Sequence, residues 1–463
     1  MRLRHHVVGS SAIGARRRRG LLVLASAVAA ITALGACTNT PGTSAGPVPK
    51  LTGVCAKYQA YAGLAGTKVT MFASIISPES DSLQTSWSEF SKCTGITISY
   101  EGANDFESQL PVRVTGGNAP DLAIIPQPGL LQQMVKSGKV AKPADQTVAN
   151  VDKYWNKTWK AYGTVNGTFY AAPMSANMKS LVWYSPKAFT AAGVKVPTTW
   201  TEMMAISDTI AATGKKPWCG GIGSGTATGW PATDWLEQVV LRSGGGDVYD
   251  KWVNHTIKFN SPEITGAMQT VAGWMLNPKY VNGGFGDVKS VATTTFQDAG
   301  KPILTGGCYM LQQASFYGAQ WPKGTKIAAD GDVFAFYLPP INSSVPTPVI
   351  GGGEFLTAFA SRPEVQAVQS YLSTPAWATN RIKAATGWVS ANTGADQSAY
   401  TDPIDKLSAK YLTDTSATFR FDASDLMPAA VGAGTEWKAM TAWFAEGKSI
   451  QQVANDIDAG FPS

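Results

Sequence analysis

Between residues 68 and 137, short apolar segments alternate with helical ones three times. No other feature of the chain restricts its fold as tightly. Lys68 to Ser74 (KVTMFAS) reads as a strand, and Ser77-Pro78 supplies an N-cap and an N1 proline for a helix running toward Lys92. The β-branched Ile96 to Tyr100 (ITISY) reads as a second strand, followed by a helix over Phe106 to Thr115. Leu122 to Ile125, held between Asp121 and Pro126, suits a buried parallel strand, and Gly129 to Ser137 makes a third helix. This order predicts an α/β layer on a parallel sheet, in which ligands gather at the carboxyl ends of the strands. Ser74, Glu101 to Asp105 and Gln127 fall at those ends.

The rest of the chain is more helical. Ser180 to Tyr184 is strand-like, Thr199 caps a helix over Trp200 to Ala212, and Thr233 caps Asp234 to Arg242, which Gly244 to Gly246 terminate. Val333 to Leu338 runs as a strand into Pro339-Pro340, and Gly351 to Gly353 lead into another, Glu354 to Ala360. With 463 residues there is room for two or three domains.

The N-terminal stretch reads differently. Arg16 to Arg19 precede an apolar run from Leu21 to Ala33, shorter than the ~20 residues a spanning helix needs but suited to a secretory signal. It ends in Leu34-Gly35-Ala36-Cys37, which resembles the bacterial lipobox. The expectation is a signal peptide over 1–36, lipidation of Cys37, and a tether over 37–66 whose Thr38 to Pro49 are rich in Thr, Gly, Ser and Pro. That makes the protein extracytoplasmic and lipid-anchored to the cell membrane.

The formal charge of +6 invites a nucleic-acid reading, but six arginines and no acid lie within residues 1–36. Without them 32 basic residues balance 32 acidic ones, which lacks the electrostatic footprint of a nucleic-acid binder. His5 and His6 share that leader, so His255 is the one imidazole beyond it, too few for a multi-histidine metal site or a Ser-His-Asp triad. No metal and no cofactor is expected. Cys55, Cys93, Cys219 and Cys308 form an even set with no Cys-x-x-Cys spacing, which favours disulfides, as Cys55–Cys93 and Cys219–Cys308, over free thiols or zinc.

Two other motifs fail on context. Gly42-Thr43-Ser44-Ala45-Gly46 has nucleophile-elbow spacing but lies in the tether, and Gly447-Lys448-Ser449 lacks the upstream glycine of a phosphate loop. Gly351-Gly352-Gly353 allows close backbone approach to a ligand or forms a plain turn. Fifteen tryptophans stand out, all beyond the leader. Trp87, Trp155 and Trp443 have helical, core-like spacing, whereas Trp183, Trp230, Trp235, Trp321 and Trp388 sit beside turn residues. Flat rings beside Asp, Asn and Gln, as in Gly229 to Trp235 and Leu311 to Phe316, are what a sugar's apolar faces and hydroxyl rim require.

Several segments together resemble a known family, the extracytoplasmic solute-binding proteins of carbohydrate ABC transporters, maltose-binding type. They are Gly116 to Leu122 (GGNAPDL), Leu181 to Ser185 (LVWYS) and Pro197 to Glu202 (PTTWTE). Ile125 to Gly129, Trp230 to Trp235, Gln312 to Phe316 and Gly351 to Phe355 look more particularly like its alpha-glucoside-binding branch, while Tyr184-Ser185 departs from the Tyr-Asn of many relatives.

The resemblance implies a two-lobe α/β fold of the periplasmic-binding-protein type II, with three hinge crossings and a ligand cleft between the lobes. Crossings are expected near Ala172, Pro339 and Trp377, giving lobe one as 67–172 plus 340–378 and lobe two as 173–339 plus 379–463. It implies a monomeric, non-enzymatic receptor that hands an alpha-glucoside disaccharide or short oligosaccharide (maltose-, trehalose- or sucrose-like) to a membrane permease driven by its ATPase. Asn104, Asp105, Gln127, Gly352, Gly353 and Glu354 are the expected hydrogen-bonding residues of lobe one. For lobe two they are Trp230, Asp234, Gln313, Phe316 and Trp388, with the aromatics stacking. The competing classes are a glycoside hydrolase, for which Asp234 and Glu237 are the nominal carboxylates, and a receptor for a non-sugar solute.

Overall fold

The computed structural model describes residues 48–462. The expected signal peptide and Cys37 lie outside the described residues. Among the described residues no helix is long and apolar enough to cross a membrane.

Two five-stranded sheets organise the chain, and a three-stranded sheet links them. In the first, Thr97–Gly102, Lys68–Ala73 and Leu122–Ile125 run parallel, as the strand–helix alternation requires. Phe355–Ala358 then inserts antiparallel between Leu122–Ile125 and Ala171–Pro173. Leu122–Ile125 is buried along its whole length, which is why it carries no polar alternation. The second sheet runs in the order Val281–Asn282, Trp218–Cys219, Met310–Gln312, Leu181–Tyr184, Phe334–Tyr337. These sheets are the centres of lobe one and lobe two.

Local signals explain the helices around them. Thr199 closes a capping box with Glu202 at the start of Trp200–Ala212. The helix that begins at Trp230 continues to Val253, further than Gly244 to Gly246 suggest, but Gly245 leaves helical geometry (φ 75°) and kinks it there. Cys55 bonds Cys93, tying the N-terminal 3-10 helix Gly53–Tyr61 to the helix Glu79–Thr94. Cys219 bonds Cys308 within lobe two, so both expected pairings are present.

The linking sheet defines the hinge. Asn177–Met178 and Thr418–Phe421 flank Pro348–Gly352 on either side, three segments far apart in sequence. Ala172 lies in the last strand of the lobe-one sheet, and Pro339 follows the lobe-two strand Phe334–Tyr337 by one residue. Trp377, near which the third crossing is expected, lies within a helix and not in the linking sheet. Trp377 is fully buried in the helix Pro375–Ala384, which lies along Glu79–Thr94 of lobe one, and its indole donates to Ser86 Oγ at 2.9 Å. Thr418–Phe421 is the third strand of the linking sheet.

Candidate functional site

The carboxyl ends of the lobe-one strands converge on the cleft. Ser74, Ile75 and Glu79 follow the first strand, Asn104 and Glu107 the second, Pro126 and Gln127 the third. Gln127 Nε2 donates to Glu107 Oε1 at 3.2 Å, which leaves Gln127 Oε1 and Glu107 Oε2 buried with no partner in the protein. Buried polar atoms normally find partners, so a pair of free acceptors on one wall marks where a ligand's donors belong. Gly353 and Glu354 complete this wall. A Cβ at Gly353 would sit 2.4 Å from Ser175 O and 2.8 Å from the Trp159 ring, so glycine is needed for the backbone to reach the cleft.

Lobe two supplies the facing wall, and it is aromatic. Trp230 begins the long helix, with Phe296 at 5.0 Å and Phe316 at 6.0 Å between ring centroids. The three rings stay partly exposed toward the cleft while most other tryptophans are sealed in the core. Trp437 closes one end.

At the hinge end Lys179 enters the cleft, buried. Its Nζ pairs with Asp234 Oδ1 at 2.8 Å and with Asp422 Oδ2. Burial opposes the ammonium charge, but Asp234 and Asp422 more than offset it and hold its pKa well above the ordinary lysine value. Burial also raises Asp422, yet the lysine charge and the hydrogen bonds from Asp425 N and Ser424 Oγ prevail and keep it low. Asp234 goes the other way: burial lifts it to about 8 despite the lysine. The cluster thus favours the charged forms of Lys179 and Asp422, while burial opposes the charge on Asp234.

Asp234, Glu237 and Asp422 are the one set of three carboxylates among the described residues close enough to share an ion. Lys179 contacts two of the three and supplies the positive charge there. Glu237 accepts from Tyr249 Oη at 3.0 Å and Ser424 N at 3.2 Å and is fully buried, so the nominal hydrolase pair has no access to a substrate. Glu354 rises to about 8, through burial first and the neighbouring Glu79 second, with Arg381 pulling it back. Burial raises Glu79 and Glu107 as well.

Of the residues expected from sequence, the structure brings Asn104, Gln127, Trp230, Phe316, Gly353 and Glu354 together in the cleft. Five others do not line it. Asp105 heads its helix and accepts from Gln109 at 2.6 Å, Gly352 donates to Asn177 Oδ1 in the linking sheet, and Gln313 Oε1 is taken by its neighbour Ala314 N. Asp234 stands behind Lys179. Trp388 is buried against Trp377 at 5.5 Å and under Arg381. The turn-like contexts of Trp183, Trp235 and Trp321 also misled: all three are buried. Lys179, Asp422, Phe296 and Trp437 also line the cleft and carry no distinguishing signal in the sequence.

Two hinged α/β lobes that turn aromatic and carboxyl side chains toward a shared cleft define a solute receptor of the periplasmic type II class. The chain belongs to the bacterial extracellular solute-binding protein family, whose pattern it matches over residues 76–380. It is 35% identical over 399 residues to the osmoprotective compounds-binding protein GgtB of Synechocystis sp., covering 85% of this chain and 92% of that one. It is likewise 35% identical over 411 residues to the alpha-glucosides-binding periplasmic protein AglE of Rhizobium meliloti, covering 86% and 88%. Among solved structures it superposes on the bacterial solute receptor AcbH, described as preferring galactopyranose, with a TM-score of 0.73 at 18% identity over 85% of this chain and 98% of that one.

Proposed function

We propose that this protein is the sugar receptor of an ABC importer and that its ligand is an alpha-glucoside. The observation that carries the reading is the opposition of two walls: the rings of Trp230, Phe296 and Phe316 against the acceptors of Glu79, Glu107, Gln127 and Glu354. A pyranose stacks its C–H face on the first and donates its hydroxyls to the second. Contact with both lobes stabilises their closed arrangement, and no bond is made or broken. The name of AglE supports the alpha-glucoside class, and that of GgtB favours adding osmoprotective compounds to the candidates. Asn104 and Gly353 contribute further polar contacts, Cys37 carries the lipid that holds the receptor at the membrane, and a permease with its ATPase takes the sugar.

A thermal-shift panel of maltose, trehalose and sucrose tests this, with a glycerol phosphodiester and a peptide as controls. A ligand at a hundred times its Kd stabilises by about 2.7 kcal/mol. A response to either control with silence from every sugar overturns the substrate class, and release of glucose during incubation overturns the receptor.

A further inference from the structure

The walls of the cleft are unequally charged. Among the described residues that line it, Glu79, Glu107, Glu354, Asp422 and Asp425 stand against Lys179 as the one basic side chain. Lys179 is already committed, its Nζ paired with Asp234 and Asp422. A ligand that is only polar fills such a space without matching its charge, and charge left uncompensated out of water is costly.

The excess is sharpest at Glu79 and Glu354. Glu79 heads the helix Glu79–Thr94 and Glu354 immediately precedes the strand Phe355–Ala358, so two elements bring a carboxyl group each to one wall of lobe one. Both side chains are half-buried. Among the described residues neither carboxyl accepts a hydrogen bond from another residue; the bonds to Ser82 Oγ and Ser175 Oγ use the backbone O of Glu79 and the backbone N of Glu354. Arg381 lies behind the pair, 1% exposed, and its charge favours ionisation of both. Its guanidinium nevertheless donates to neither carboxylate, Nε and Nη1 have no partner at all, and the buried Asp405 draws on the same charge. Two carboxylates before one shared guanidinium leave a negative charge for the ligand to meet.

The opposite wall is chemically matched to a cation. Trp230 already carries one ammonium, that of Lys179, over its ring, and Phe296 and Phe316 add further aromatic faces beside it. Such faces attract a positive charge, and carboxylates bond it strongly. An ammonium brings three donors, no acceptor and one positive charge, where a hydroxyl brings one donor and no charge.

We infer that the ligand is a basic glycoside, a sugar bearing an amino group whose ammonium sits between Glu79 and Glu354 while a pyranose ring stacks on Trp230. The inference rests on the sugar-receptor reading and narrows its substrate class.

The test is calorimetric titration near neutral pH with trehalose and its monoamino-deoxy isomers, beside maltose and sucrose as further neutral sugars. At least one amine should bind about tenfold more tightly than trehalose, the worth of one charge-assisted hydrogen bond. Its N-acetyl derivative, which has lost the charge, should lose the gain. Glu79→Gln and Glu354→Gln keep the size and polarity of the side chain, and each should bring the ratio of the two affinities close to one. Neutral sugars that bind while no amine binds better overturn the ammonium site alone, and so does a gain that survives N-acetylation or both substitutions. Silence from every neutral sugar and every amine loses the sugar-receptor reading together with it.

Discussion

The Lys179 ammonium lies 5.2 Å from the centre of the Trp230 ring while paired with Asp422. One side chain thus joins the linking sheet and the lobe-two aromatic wall. Lys179 O adds two bonds, from Gln238 Nε2 at 3.1 Å and Gln312 Nε2 at 2.6 Å.

Lys179→Met should therefore be costly. It leaves Asp422 buried without its counter-charge, a loss of about 3–5 kcal/mol for a pair of this kind. Urea unfolding measures it, and Lys179→Met combined with Asp422→Asn should recover part of the loss. A single mutant as stable as the parent would show that the pair does not hold the hinge.

Trp230→Ala should weaken sugar binding by about 2 kcal/mol, roughly thirtyfold, as removal of a central aromatic does. Trp388→Phe should lower the Tm and leave affinity unchanged, because Trp388 packs beneath Arg381 and not on the cleft. Titration of both variants with one responding sugar decides; an affinity loss in Trp388→Phe contradicts the placement.

Glu354 should make binding pH-dependent. Its pKa rises from 4.5 to about 8 in the folded protein, so the fold keeps a proton that the unfolded chain has lost above about 4.5. This group's contribution to stability is complete below that value and disappears as pH rises through about 8. A sugar hydroxyl donating to the carboxylate favours its ionised form, so binding expels the proton. Affinity should rise by up to about tenfold per pH unit between about 5 and 8. Titration in two buffers of different ionisation enthalpy reads the released proton, and Glu354→Gln should abolish the release. Equal heats for the parent protein would remove Glu354 from the acceptors.

Gly129 packs tightly against the segment at Met427. A Cβ there would stand 1.9 Å from Met427 O, a backbone atom that cannot turn aside. Gly129→Ala should force the lobes apart at a cost of about 1–3 kcal/mol in overpacking. Sugar affinity should fall by a similar amount while each lobe stays folded, with a larger radius of gyration under saturating ligand. Unchanged affinity would show that the contact plays no part in closure.

Much of lobe one was legible because its signals are local. The Phe106–Thr115 helix and the Leu122–Ile125 strand have the expected bounds, and the strand-end rule located Ser74, Asn104 and Gln127. Glu101 sits at the same strand end but is drawn away by a two-pronged bond to Arg113. Lys179 was invisible for a different reason. Its partners are Asp234 and Asp422, and nothing near it in sequence distinguishes a buried cation from a surface lysine. Trp388 failed likewise, since a tryptophan after Thr386-Gly387 reads the same whether it faces a ligand or Arg381.

The insertion of Phe355–Ala358 between Leu122–Ile125 and Ala171–Pro173 has a consequence for how the molecule is made. When synthesis starts at the N-terminus, Ala171–Pro173 waits beside a gap until more than a hundred further residues have appeared, and the linking sheet waits longer still. Closure over such distances is slow. A nascent chain stays loose and threadable for most of its length, a state suited to passage through a narrow pore, and a product truncated before the middle of the chain has no stable half to fall back on.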